Sequence, residues 1–132
     1  MAGPRRILVA DDETHITQVV SLKLRNAGFE VIVANDGEEA LELATSELPC
    51  LLITDLQMPF LSGLDLARKL HEKPATRDIP IVVLTARGLG LSNEDLSETS
   101  IRTVMSKPFS PKQVLECALE ILGDSTEAAE AA

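Results

Sequence analysis

Two adjacent acids, Asp11 and Asp12, follow the apolar run Ile7-Leu8-Val9-Ala10, and Glu13 makes a third. Like charges ~4 Å apart repel by about 4 kcal/mol at an effective dielectric of ~20. Either these acids are merely solvated and cap a helix, or something positive belongs between them. Asp55 closes a second apolar run in LLITDLQMP, Thr85 a third in VVLTA, and Lys107 follows MS in MSKPF. Taken singly, each has a bland role. Asp12 is a helix cap, Asp55 a turn residue before Met58-Pro59, Thr85 a strand-end hydroxyl and Lys107 a solvated lysine. Taken together they fall at the same end of different strands, and three carboxylates need cationic compensation. A hard divalent ion with oxygen ligands supplies it most simply. Mg²⁺ suits few carboxylates, retained waters and a phosphate ligand, with Mn²⁺ as a substitute. Lys107 adds a positive charge that draws an anion into the same place.

The elements that must hold these residues are legible as five aliphatic runs alternating with helical periods. The strands are expected at 5–10, 30–34, 50–54, 79–86 and 102–106, the third central and the fifth a weak edge strand. Helix one runs through ETHITQVVSLKLRNAG, with Ile16, Val19, Val20, Leu22 and Leu24 as apolar positions and Gly28 as a stop. Asp36 caps helix two with Glu39 three residues on. Ser62 opens helix three, with Leu64, Ala67, Leu70 and Leu66 inward. Ser110 and Pro111 open helix five, whose stripe is Val114, Leu115, Ala118, Leu119 and Leu122. Segment 87–100, with glycines and little periodicity, predicts a short, late-starting or mobile fourth helix. The alternation implies an α/β fold: a parallel sheet wrapped on both faces. In such sheets ligands bind beyond the carboxyl ends of the strands, where strand order reverses. The expected organisation is an N-terminal extension over 1–4, one domain over 5–122 and an acidic, disordered tail over 123–132, with no second domain.

Composition narrows the function classes. The formal net charge of −9 repels a phosphate backbone, and the chain has three Phe with no Trp or Tyr to stack on bases. Nucleic acid is therefore not the expected partner. No apolar stretch reaches the length of a membrane span, and MAGPRR lacks the apolar run of a secretory signal. Cys50 and Cys117 are expected as buried thiols in a reducing cytosol. The expected location is cytoplasmic.

The residues DDE after strand one, TDLQMPFLSGLDL around Asp55, LTA at 84–86 and KPF at 107–109 resemble the receiver domain of bacterial two-component response regulators. The resemblance spans roughly 5–122. It implies a flavodoxin-like three-layer α/β/α sandwich with strand order 2-1-3-4-5, of the chemotaxis-regulator kind. It implies that Asp55 accepts a phosphoryl group from phosphohistidine, and that Asp11, Asp12, Asp55 and the backbone carbonyl of Gln57 coordinate Mg²⁺. Lys107 would pair with the phosphoryl oxygens, Thr85 would donate its hydroxyl to them, and the Lys107–Pro108 bond would be cis. The implied partners are a sensor histidine kinase or a histidine phosphotransfer protein upstream, and an unknown protein target downstream. The docking surface would be the 87–122 face.

Two departures stand out. Val104 occupies the place of the usual aromatic switch, and Ser100-Ile101 replaces a common Gly-Ala pair. Phosphorylation is therefore expected to order 87–100 instead of turning a ring. Gln57 and Arg87, each two positions beyond a site residue, either reach the phosphate or shield it from water, or are solvated side chains. His15 is a surface residue near the acids, alternatively a transition-metal ligand, and His71 lies on an exposed helix end. A phosphatase of the haloacid-dehalogenase type would need a second Asp two residues after the nucleophile, where this chain has Gln57. A flavodoxin-like mononucleotide binder would need a Ser/Thr- or Gly-rich phosphate loop after strand one. A receiver-shaped adaptor that is never phosphorylated would have no need for the intact acids. The expectation is a phosphoacceptor domain that assists its own phosphorylation and dephosphorylation, not an enzyme.

Overall fold

Every aliphatic run becomes a strand, and the three inner ones bury both faces between helices. The computed structural model describes residues 5–85, 91–106 and 110–122. The strands are β1 (Arg6–Ala10), β2 (Glu30–Ala34), β3 (Leu51–Asp55), β4 (Ile81–Thr85) and β5 (Ile101–Ser106). The helices are α1 (Thr14–Asn26), α2 (Gly37–Glu47), α3 (Gly63–His71), α4 (Asn93–Ser97) and α5 (Pro111–Leu122). All strand pairs are parallel, in the order β2-β1-β3-β4-β5. This is the expected flavodoxin-like order, with β3 central and β5 at an edge. The expected extension 1–4, the tail 123–132, Arg87, Lys107 and the Lys107–Pro108 bond lie outside the described residues.

Alternation along β1 divides the core into two layers. Ile7 and Val9 pack with Val20, Leu24, Ile53, Leu84 and Val114 under α1 and α5. Leu8 and Ala10 pack with Ala40, Ala44, Leu52, Leu66 and Leu70 under α2 and α3. Each fully buried Leu or Ile contributes about 1.5–3 kcal/mol relative to exposure, so the aliphatic strands alone account for a rigid platform. No helix among the described residues is long and apolar enough to cross a membrane.

Four strands differ from the sequence expectation, β1 by beginning at Arg6 instead of Arg5. β3 begins at Leu51 instead of Cys50, which makes Asp55 the last strand residue. β4 begins at Ile81, because the Ile79 N–H turns back to the Thr76 carbonyl. β5 starts one residue early, at Ile101. The buried face of α1 takes only some of its apolar positions. Val20 and Leu24 are buried with Thr17 and Ser21, while Val19 and Leu22 are exposed. Helical phase, set by 17, 20, 21 and 24, overrides residue type here, and Thr17 is satisfied by donating its hydroxyl to the Thr14 carbonyl. The fourth helix is short and starts late, opened by a reciprocal Ser92–Asp95 capping box.

Candidate functional site

Register brings the candidate residues to one edge of the sheet. Ala10 of β1 lies opposite Thr54 of β3, so the next residues, Asp11 and Asp55, follow at one level. Asp55 pairs with Leu84, and Thr85 with Ser106, the last residue of β5. Asp11 is fully buried and Asp55 is 7% exposed, whereas Asp12 faces solvent. One carboxylate oxygen from each of Asp11, Asp12 and Asp55 lies within 4.8 Å of the other two.

The local backbone explains how these acids are held. The Asp11 N–H donates to the Ala34 carbonyl at 3.2 Å, and Asp11 Oδ1 accepts the Glu13 N–H at 2.9 Å. The cap position of α1 is Glu13, which makes no side-chain cap bond, so the helix-capping role considered for Asp12 does not hold. After Asp55 the chain is pinned again. The Leu56 N–H donates to the Leu84 carbonyl and the Gly63 N–H to the Leu56 carbonyl, both at 2.8 Å. The Thr54 hydroxyl donates to the Asp55 backbone carbonyl at 2.9 Å. Three carboxylates in this arrangement, two of them withdrawn from water, fit the hard oxygen donor set of a divalent cation. At 4.8 Å, a pair repels by about 3.5 kcal/mol at an effective dielectric of ~20.

Thr85 ends β4 and is 6% exposed; Gln57 lies in the β3–α3 loop with its side chain in solvent. Val104 is half-buried against the α2–α3 layer. Lys107 and Arg87 are outside the described residues, so the structure places six of the eight residues singled out: Asp11, Asp12, Asp55, Gln57, Thr85 and Val104. His15 is exposed and does not join the carboxylate group. His71 is half-buried, not exposed, because it closes α3 against the 72–79 turn, where its carbonyl accepts from Arg77 Nε. Cys50 and Cys117 are half-buried instead of buried, and neither forms a disulfide. Burial pushes the Cys117 thiol up from its ordinary range.

Sequence reading missed two features near the site. Phe60 is 77% exposed and has φ +71°, inside a turn closed by the Leu61 N–H on the Pro59 carbonyl. Arg68 of α3 reaches Asp95 at 2.5 Å and Glu98 at 3.2 Å, bridging α3 to α4. The Ser92 backbone N–H, ahead of the Arg68 guanidinium, holds the Asp95 carboxyl below the usual carboxylate range. The i, i+3 spacing of Asp95 and Glu98 was a signal for such an acidic face; its partner was not visible.

Known proteins share this fold. The family model described as response regulator receiver domain matches residues 7–119. The chain is 36% identical over 110 residues to the alkaline phosphatase synthesis transcriptional regulatory protein PhoP of Bacillus subtilis, covering 83% of this chain and 45% of that protein. It spans about half the length of the curated relatives it matches. Among solved structures, the chemotaxis response regulator CheY4 of Vibrio cholerae is similar, with TM-score 0.81, 28% identity, and coverage of 89% of this chain and 98% of that one. The receiver domain of sensor histidine kinase PA1611 from Pseudomonas aeruginosa has TM-score 0.80 and 25% identity, covering 92% of this chain and 99% of that one. That structure carries a magnesium ion coordinated in its active site cleft.

Proposed function

This chain belongs to the response regulator receiver family, and from that premise we propose that Asp55 is the phosphoacceptor of a two-component phosphorelay. A carboxylate oxygen of Asp55 attacks the phosphorus of a phosphohistidine. An O–P bond forms, the P–N bond breaks, and the ring nitrogen leaves with the electron pair. A carboxylate is a weak nucleophile, so the rate comes from positioning and from neutralising charge on the transferred group. Asp11, Asp12, Asp55 and the Gln57 backbone carbonyl would hold Mg²⁺, or Mn²⁺ in its place, which when bound neutralises that charge. Lys107 pairs with the phosphoryl oxygens. Thr85, at the end of the neighbouring strand, donates its hydroxyl to them. Gln57 and Arg87 tune how readily water reaches the product.

The acyl phosphate carries about two negative charges where the carboxylate carried one. That added charge draws Thr85 and the segment after it inward, and the change passes to the face made by α4, β5 and α5. With Val104 half-buried and aliphatic, α4 carries the signal in place of a rotating ring. Amide protection over 92–100 rises on phosphorylation; unchanged protection there contradicts this. The upstream partner is a histidine kinase or histidine phosphotransfer protein in the cytoplasm. The downstream partner is a protein docking at the groove lined by Thr103, Met105, Gln113, Glu116, Cys117 and Glu120. The domain assists its own phosphorylation and dephosphorylation and turns over no external ester.

One observation carries this reading: two carboxylates just after β1 and one at the end of β3 gathered within 4.8 Å at the carboxyl edge of the sheet. The test is intact mass after incubation with acetyl phosphate and Mg²⁺. Wild type gains one phosphoryl group; Asp55→Asn, or wild type in excess EDTA, gains none. Equal labelling of wild type and Asp55→Asn overturns the assignment.

A further inference from the structure

We infer that Gly37, at the start of α2, is a positioning residue for the Asp55 site, because it lets α2 bear directly on the loop that follows the acceptor. The inference rests on the role proposed for Asp55 and adds a part of the fold that carries none of the site's chemistry. A Cβ at Gly37 would lie 2.0 Å from the Leu61 carbonyl oxygen, 2.6 Å from Leu61 Cβ and 2.7 Å from the Leu61 carbonyl carbon. Backbone atoms cannot swing aside, so only glycine permits this approach. At the other end of the same loop, a Cβ at Gly63 would lie 2.4 Å from the carbonyl oxygen of Asp55 itself and 3.0 Å from Leu56 Cα.

These two contacts clamp the 56–62 loop between α2 and α3. Between them sits the Phe60 turn, whose φ of +71° is a conformation that a bulky L-residue avoids. A strained turn persists when its surroundings over-determine it, and the two glycine contacts are such surroundings. Gly37 has no conformational reason to be glycine. Among the described glycines only Gly28 has a positive φ, and a Cβ there meets nothing within 4 Å. Glycine is also a poor helix residue, so its place at the start of α2 is spatial. The strut behind the contact is firm. Asp36 Oδ1 accepts the Glu39 N–H at 2.8 Å, and Ala40 and Ala44 are fully buried. The line of force therefore runs from the α2 terminus through the Leu61 carbonyl and Gly63 to the Asp55 backbone. Gln57, the carbonyl proposed to complete the cation site, lies within the clamped loop. Donors held in place before a ligand arrives bind it more tightly.

The test compares Gly37→Ala with Gly28→Ala, a strained but remote control. Mg²⁺ affinity is measured by calorimetry on the unphosphorylated protein, urea stability beside it, and the acetyl phosphate reaction at saturating Mg²⁺. Gly37→Ala is expected to weaken Mg²⁺ binding about tenfold or more and to slow labelling of Asp55. Gly28→Ala is expected to lose stability and keep wild-type Mg²⁺ affinity. Gly37→Ala with wild-type affinity overturns the inference, and so does Gly28→Ala losing affinity alongside it. Should Gly37→Ala fail to fold, Leu61→Gly carries the test, because it removes the Cβ facing Gly37 and loosens the braced carbonyl. It is expected to show the same loss of Mg²⁺ affinity, and wild-type affinity there is equally contrary. A wild type that binds Mg²⁺ but takes no phosphoryl group on Asp55 overturns the proposed function alone, since the affinity comparison still reports on Gly37.

Discussion

Replacing Asp11 with Asn removes one charge from the carboxylate cluster. The amide keeps an Oδ1 that accepts the Glu13 N–H, the bond seen at 2.9 Å, and the side chain stays the same size. Asp11 has cluster oxygens of Asp12 and Asp55 within 4.8 Å. Each such pair repels by about 3.5 kcal/mol at an effective dielectric of ~20. Asp12 faces solvent, so its share is screened; Asp55 is buried, so its share persists. After discounting for screening and for attraction to other neighbours, metal-free Asp11→Asn should be about 2 kcal/mol more stable than wild type. In a domain of this size that raises Tm by about 6–10 °C. The assay is urea and thermal unfolding in EDTA, repeated in excess Mg²⁺. At about 100 times Kd, ligand binding stabilises wild type by about 2.7 kcal/mol, and the variant, short of one charged donor, gains less. The stability difference must therefore shrink or invert with Mg²⁺. A variant less stable than wild type in EDTA, or a difference indifferent to Mg²⁺, would refute the repulsion argument.

Phe60→Gly should stabilise the fold by about 1 kcal/mol, since glycine adopts φ +71° without strain; a lower urea midpoint would contradict this. Asp95 has a depressed folded-state carboxyl, so its contribution is present above the unfolded carboxylate range and is lost as pH falls through the lower folded value. Asp95→Asn should flatten the acid limb of the stability curve, and an unchanged limb would show that the cap and the Arg68 pairing contribute nothing. Arg68→Met should speed amide exchange at Leu96 and Glu98 by cutting the bridge from α3 to α4, with the β-sheet amides unaffected.

The sequence disclosed what is local. Aliphatic runs such as Leu51–Thr54 read directly as strands, because burial on both faces demands continuous apolarity. The strand tips then located Asp11, Asp12 and Asp55 without coordinates. Phase was harder. Val19 and Leu22 are apolar by type, yet Thr17 and Ser21 take the buried positions, where small hydroxyl side chains fit and Thr17 bonds back to its own helix. Least legible were contacts between distant segments. Nothing in the run NDGEEAL says that Gly37 touches Leu61, and nothing in MPFLSG says that Phe60 adopts a left-handed backbone. The Arg68 bridge is of the same kind, since pairing across elements depends on how helices pack, which spacing within one helix does not encode.

The proposed covalent chemistry occurs at Asp55. After reaction with acetyl phosphate and Mg²⁺, borohydride reduction converts an aspartyl phosphate to homoserine, which peptide mass mapping can locate. Homoserine is expected at position 55 alone, dependent on the divalent ion. Homoserine at Asp11 or Asp12 instead, or at no position, would contradict it.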